Sequence, residues 1–277
     1  MKNSLYCIYD ESFNHEFSVC AIRIYLPTGD SFVNFNVAHS VRDNRVCDTW
    51  RLSRASIFDG EMQNEELLGP SAEWDMALSI KGRDDFIGGE LHGDEVFTSM
   101  RIFIDERERD AESITELTEF STLRIQVESV GYDPDDHKTE ALRHFKEYTF
   151  TKRGVSLEQR VEWLNDYELD ACYLAMMPPY KALTDHYYTD VDGEAKEICG
   201  SFNVVGCKSA VLFGKESGLY FSMAIPKYPS YKSGNIFLVT DNSGNPYNKM
   251  YFRVCCGEKV QAGETWESVT EYSIEKR

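Results

Sequence analysis

The chain has 277 residues, 42% of them hydrophobic, which is enough for one large β domain or two smaller ones with a real core and too apolar for intrinsic disorder. Its formal net charge of −18 argues against nucleic acid and anionic membranes as partners, because a phosphate-binding surface needs clustered Lys and Arg. The same sign weighs against an anionic polysaccharide unless arginines gather locally at a cleft.

The first seventy residues read as strands. Leu5 to Tyr9 and Phe17 to Leu26 are rich in aromatic and β-branched residues. Pro27-Thr28-Gly29-Asp30 is a turn, and from Ser31 to Val37 the apolar Val33, Phe35 and Val37 alternate with Asn34 and Asn36. Asp48 to Leu52 continues this meander. Asp59 to Pro70 is polar and turn-prone, so a loop is expected there. It sets off an N-terminal strand layer, residues 1–70, packed on the same sandwich as a main domain, residues 71–277.

The next stretch, Asp84 to Glu95, concentrates chemistry. Gly88, Gly89, His92 and Gly93 lie among the carboxylates Asp84, Asp85, Glu90, Asp94 and Glu95, between strand-like Trp74–Ile80 and Val96–Ile104. Glycines beside a histidine let backbone or ligand approach the imidazole closely. Downstream, Asp105–Glu119 is charged and suits a loop or short helix, and Leu123, Ile125 and Val127 alternate as a strand does. Gly131–His137 is an acidic loop whose spacing is not that of an EF-hand. Lys138–Phe145 is expected to begin as a short helix before strand-like Tyr148–Thr151. Val155–Trp163 and Tyr167–Met177 read as strands, the latter stopped by Pro178-Pro179. Tyr180–Glu194 reads as a loop, and the last third as short strands punctuated by Gly and Pro. This pattern predicts an all-β fold, a large antiparallel β-sandwich with few short helices.

The run from Glu147 to His186, strand after strand and then a histidine followed by Tyr187 and Tyr188, resembles the galactose-mutarotase-like supersandwich. His92-Gly93 is similar to the histidine-glycine pair of that family's early active-site segment. Val260 to Trp266, followed by strand-like Val269–Ile274, looks like its last strand, with Ala262 where the family has proline. The first seventy residues carry no such likeness. The resemblance implies sugar chemistry in which a histidine acid and a carboxylate base work on an anomeric centre. His92 and His186 stand where the histidines would be. Glu258 is the nearest candidate for the base and Asp241 the next, but neither lies in the family's motif.

The candidate catalytic residues are therefore His92, His186 and Glu258. The sugar-binding candidates are Glu90, Asp94, Tyr187, Tyr188 and Tyr173, although Tyr173, with Met176 and Met177, also follows the spacing of a core strand. Sugar suits them because its apolar face stacks on rings and its hydroxyls bond to imidazole, carboxylate and phenol. His92 and His186 are expected to line one pocket for a neutral sugar or glycan. Glu90, Asp94 and Glu95 could chelate a metal with His92, but acids bordering a strand are ordinarily solvated, so no metal is expected. No cofactor is expected either: there is no G-x-G-x-x-G or Walker loop, and no G-x-S-x-G elbow.

Eight cysteines, none in a C-x-x-C pair, sit mostly in apolar runs and are expected to be free. With no secretory pattern or membrane-length apolar run, a reduced, cytoplasmic setting is expected. Two function classes follow. One is an aldose-epimerase-like or polysaccharide-lyase-like enzyme. The other is a non-catalytic glycan-binding or structural module, for example of a viral or surface appendage.

Overall fold

The computed structural model describes residues 4–14, 17–42, 46–58, 64–69, 74–88, 92, 94–229, 236–240 and 244–277. In chain order its strands are β1 (Leu5–Asp10), β2 (Ser18–Thr28), β3 (Ser31–Arg42), β4 (Cys47–Phe58), β5 (Asn64–Glu66), β6 (Ala77–Ile80), β7 (Phe86–Ile87), β8 (Glu95–Ile104), β9 (Arg107–Arg109), β10 (Thr118–Phe120), β11 (Leu123–Tyr132), β12 (Glu140–Thr151), β13 (Gly154–Trp163), β14 (Tyr167–Met177), β15 (His186–Thr189), β16 (Lys196–Glu197), β17 (Phe202–Val205), β18 (Ser209–Phe213), β19 (Leu219–Lys227), β20 (Ile236–Thr240), β21 (Lys249–Cys255), β22 (Lys259–Val260) and β23 (Thr265–Lys276). Among the described residues helix is confined to two 3-10 turns, Ala111–Ser113 and Lys181–Leu183. No helix among them is long and apolar enough to cross a membrane.

The strands form two sheets. The larger runs β10-β1-β2-β3-β4-β8-β11-β12-β13-β23-β19-β18-β15-β16, with β5 beside β4 and β9 beside β8. The smaller runs β17-β20-β21-β14-β6-β7, with β22 beside β14. The strand pairs are antiparallel except β4 with β8, which meet in parallel at Cys47↔Glu95 and Asp48↔Val96. Through that seam the strands of the first seventy residues join the larger sheet.

Three expectations need correction. Lys138–Phe145 does not start a helix: β12 begins at Glu140 and pairs on both sides, with β11 and β13. Its inward residues Leu142, His144, Lys146, Tyr148 and Phe150 fall on one strand face, and that period of two outweighs local helix propensity. The expected loop at 180–194 contains β15, which pairs with β18 and β16. The loop at 59–70 contains β5, paired with β4. All eight cysteines are free; six are buried, while Cys199 and Cys256 are exposed.

The sheets face each other across one core. Phe35 meets Trp74 and Phe150 at 6.0 and 6.2 Å between ring centroids, and the Tyr272 hydroxyl donates to the Trp74 carbonyl. Gln159 of β13 donates to the carbonyls of Leu174 on β14 (3.0 Å) and Asp75 just before β6 (3.2 Å).

Charges lie at the centre of this core. Lys146 Nζ donates to Asp75 Oδ2 at 2.8 Å and lies 3.1 Å from Glu95 Oε1. Arg51 donates to Asp75 at 3.3 Å, Ser129 donates to Glu95, and His144 Nδ1 lies 3.1 Å from Glu95. The Arg51, Asp75, Glu95, His144 and Lys146 side chains are at most 1% exposed. Burial pushes both carboxylates toward the neutral form, yet Lys146 above all, with Arg51 at Asp75 and His144 at Glu95, outweighs it and holds both below the ordinary range. Burial likewise disfavours the ammonium, but Asp75 and Glu95 raise its pKa above the usual lysine value. One carboxylate oxygen each from Asp75 and Glu95 and a His144 ring nitrogen come within 4.8 Å of one another, a spacing a metal could use. The Lys146 ammonium already bridges the two carboxylates.

Carboxylates with depressed pKa stabilise the fold above their unfolded value of about 4, and that contribution is lost as pH falls through the folded values. Lys146, with its raised pKa, contributes below about 10.4 and loses its effect as pH climbs past it. The urea midpoint is therefore expected to fall steeply between about pH 5 and pH 2. A midpoint unchanged from pH 7 to pH 3 would show that these carboxylates do not stabilise the fold.

Candidate functional site

The segment ending β7 and opening β8 positions the candidate residues. Gly88 takes φ +87°, and a Cβ there would come within 2.7 Å of the Met76 carbonyl, so only glycine fits the chain as it leaves β7. Asp94 also has a left-handed backbone, at φ 62°, a conformation that Asp tolerates better than most residues. Its neighbours then diverge: Glu95 points into the charged core, and His92 lies at the surface.

Two imidazole–carboxylate pairs flank this turn. His92 Nδ1 bonds to Asp85, its side chain 28% exposed. Two residues on, buried Asp94 bonds to His137 Nδ1 at 2.6 Å, with the His137 side chain 42% exposed. His137 comes from the acidic loop, which is held by its own bonds. Arg83 donates to both oxygens of Asp133 at 2.9 Å and lies 3.2 Å from Asp135. Asp136 accepts the N–H groups of Lys138 and Thr139, each at 2.9 Å, and the Thr139 hydroxyl at 2.6 Å. The Thr139 hydroxyl first, then these backbone donors, lower the Asp136 pKa to about 2. The acids of this loop thus serve donors within the chain.

Beside His92 runs a row of rings on the outer face of the smaller sheet. Phe86 lies 4.9 Å from His92 and 6.4 Å from Tyr173, and Tyr173 lies 4.9 Å from Tyr251. The strand period produces the row: on β14 and β21, Tyr173 and Tyr251 are half-exposed, while Cys172, Leu174, Met250 and Phe252 point inward. Between β7 and β14, small Ala77 and Ser79 of β6 leave room for the larger rings. Burial, then the neighbouring Tyr251, raises the Tyr173 phenol above its ordinary pKa.

His186 lies elsewhere. It sits on β15, 2.8 Å from Asp185 and 5.5 Å from the Phe213 ring. Tyr187 stacks on Phe202 of β17 at 4.0 Å, and Tyr188 lies 6.0 Å from Phe213. The smaller sheet has β17 at one edge and β7 at the other. His186 lies on β15 of the larger sheet, beside β17 through the Tyr187–Phe202 stack, whereas His92 follows β7 at the other edge of the smaller sheet, so the two are not brought together in the shared pocket expected from the sequence. The cause is topological: β20, β21, β14 and β6 all intervene. Glu258 lies between β21 and β22, where its carbonyl accepts the Leu169 N–H at 2.6 Å, four residues along β14 from Tyr173. Glu90, Gly89, Gly93 and Asp241 lie outside the described residues. Sequence reasoning missed Asp85, Phe86, His137 and Tyr251 as partners. His137 was legible only as a loop residue, and nothing local ties it to Asp94, which is 43 positions away.

The sequence matches no protein-family model and no curated protein. Several solved structures are similar in strand arrangement. The 4-alpha-glucanotransferase of Thermococcus litoralis matches with a TM-score of 0.48 at 8% identity, over 98% of this chain and 40% of that one. The galactosidase domain of alpha-galactosidase-sucrose kinase matches at 0.46 and 8%, over 91% and 40%. A galactose mutarotase-like protein from Clostridium acetobutylicum matches at 0.40 and 10%, over 93% and 96%. The chain thus spans about two fifths of the length of the first two and nearly all of the third. At these identities the likeness extends to no residue of the site.

The Arg83–Asp133 clamp is expected to hold the His137 turn in place. In an Arg83→Met variant, amide hydrogen exchange should quicken across residues 133–139 while β12 stays protected. Exchange unchanged in that turn would mean the clamp does not hold it.

Proposed function

We propose that this protein recognises a neutral carbohydrate on the outer face of its smaller sheet, at the edge marked by β7. The observation that carries this reading is the run of rings Phe86, Tyr173 and Tyr251, which ends against the His92–Asp85 pair. Rings offer apolar area to the C–H face of a sugar, while imidazole, carboxylate and phenol groups beside them bond to its hydroxyls. A chain of net charge −18 favours a neutral ligand over an anionic one. Lys249, with its ammonium 5.7 Å from the Tyr251 ring, adds a donor at the far end of the row.

A second reading is catalytic and rests on the two imidazole–carboxylate pairs, His92–Asp85 and His137–Asp94, borne two residues apart on one segment. An epimerase-like proton transfer needs two groups that exchange protons with opposite sides of a sugar, and a carboxylate-oriented imidazole is suited to either task. In this reading His92 and His137 are the pair to test, in place of His92 and His186.

A glycan array of neutral oligosaccharides tests the first reading. At least one glycan should be retained, and Tyr173→Ala should weaken its binding about fivefold or more, the scale of about 1 kcal/mol for one stacked ring. If no neutral glycan binds, or Tyr173→Ala leaves binding unchanged, the surface is not a sugar site. Under the catalytic reading, His92→Ala lowers turnover of the retained sugar about a hundredfold; under pure recognition there is no turnover to lose.

A further inference from the structure

The larger sheet holds a different cluster, far in sequence from the ring row. Cys20 of β2 and His39 of β3 are direct cross-strand partners, and Trp50 of β4 is the partner of His39 on its other side. Directly paired residues project from the same sheet face, so thiol, imidazole and indole stand in a row. The His39 and Trp50 rings stack at 5.1 Å and 7° between planes. His39 Nε2 bonds to Asp48 Oδ1 at 2.6 Å, and Phe97 closes on the imidazole edge-on at 5.4 Å. Tyr9 of β1 lines the same cavity as that thiol. Cys20, His39, Trp50, Tyr9 and Phe97 line this cavity of about 400 Å³, whose rim carries charged groups.

We propose that this cavity is a second chemical site, in which Cys20 is a nucleophile that forms a mixed disulfide with a low-molecular-weight disulfide of the zwitterionic, glutathione class. A thiol reacts as its thiolate, and an adjacent base oriented by a third group is the recurring way to activate it. Here His39 is the base and Asp48 the group that orients it. The interaction with Cys20 first, then Asp48, outweighs burial and raises His39 above the ordinary imidazole pKa, which suits an imidazole that keeps a proton drawn from the thiol. Hydrogen bonding to Cys20 first, then burial, pushes the Tyr9 phenol up to about 12, which suits a hydroxyl that stays protonated beside the sulfur. Arg101 and Glu108 are paired with each other, Nε and Nη2 donating to the two carboxylate oxygens at 3.0 Å, which leaves Arg109 to meet a carboxylate, and Asp110 and Glu112 to meet an ammonium, of a zwitterionic ligand.

The step balances as an exchange. Cys20 Sγ forms a bond to one sulfur of the incoming disulfide as that molecule's own S–S bond breaks. The departing sulfur leaves with the electron pair and takes the proton that His39 drew from Cys20. Cys20 is oxidised, and the released small thiol is the reduced product.

The site is separate from the proposed sugar surface, so either reading can fail alone. The native chain carries its own references, because Cys199 and Cys256 are exposed whereas Cys20 is only 8% exposed. The full-length protein is treated with limiting oxidised glutathione at pH 7, and the modified cysteines are mapped by peptide mass spectrometry. The mixed disulfide is expected first on Cys20, ahead of both exposed thiols. In His39→Asn and Asp48→Asn variants that keep the native circular dichroism, the rate at Cys20 should fall about tenfold or more while Cys199 and Cys256 react as before. Modification of the exposed cysteines with Cys20 left untouched overturns the proposal, and so does a Cys20 rate unchanged in both variants. Should the variants fail to fold, the order of modification in the native chain alone decides.

Discussion

The structure depends on one ammonium. Lys146 lies between Asp75, at the entry to the smaller sheet, and Glu95, at the start of β8 in the larger. Each charge alone would cost several kcal/mol to bury; together, and with Arg51, His144 and Ser129 around them, they are paired and hydrogen-bonded. A network of this kind is directional, unlike the apolar packing that surrounds it. It fixes where the smaller sheet sits on the larger, because Asp75 can meet Lys146 and Arg51 together only in one register.

The same network ties the core to both proposed sites. Glu95 is next to Asp94, which holds His137, and three residues from His92; anchoring Glu95 in the core therefore fixes where that turn emerges beside the ring row. On β4, Trp50 and Arg51 are successive, so they point to opposite sides of the strand. Trp50 lines the cavity of Cys20, while Arg51 reaches the buried carboxylate of Asp75. A rigid centre with chemistry at its margins suits sites that need fixed geometry where loops and strand ends carry the side chains.

How much of this was legible in the sequence varies with the physical signal. Strand identity was clear wherever a period of two was strict, as at Leu123, Ile125 and Val127, all fully buried in β11. It failed at Lys138–Phe145, where charged residues mimic a helix, although His144, Lys146, Tyr148 and Phe150 already share one parity. That parity was also the available sign that Lys146 points inward, as Asp75 between Trp74 and Met76 was for its own burial. Asp84–Glu95 could be singled out as important from its glycines, histidine and acids. Its partners could not, because Lys146, His144 and His137 reach it by non-local pairing that no local spacing encodes. The pairing of His92 with His186 failed for the same reason: strand order, which the sequence pattern does not fix, puts His186 on β15 of the larger sheet beside β17 and His92 after β7, at the far edge of the smaller sheet.

The claim that these buried charges hold the sheets together is tested most directly by a double-mutant cycle in urea unfolding, using Lys146→Met, Glu95→Gln and the double variant at pH 7. Lys146→Met alone leaves two buried carboxylates without their ammonium and should cost about 3–5 kcal/mol. The double variant is expected to cost less than the two single changes added together, with a coupling of about 2 kcal/mol or more. Costs that add to within about 0.5 kcal/mol would show that Lys146 and Glu95 do not depend on each other, and would contradict the account.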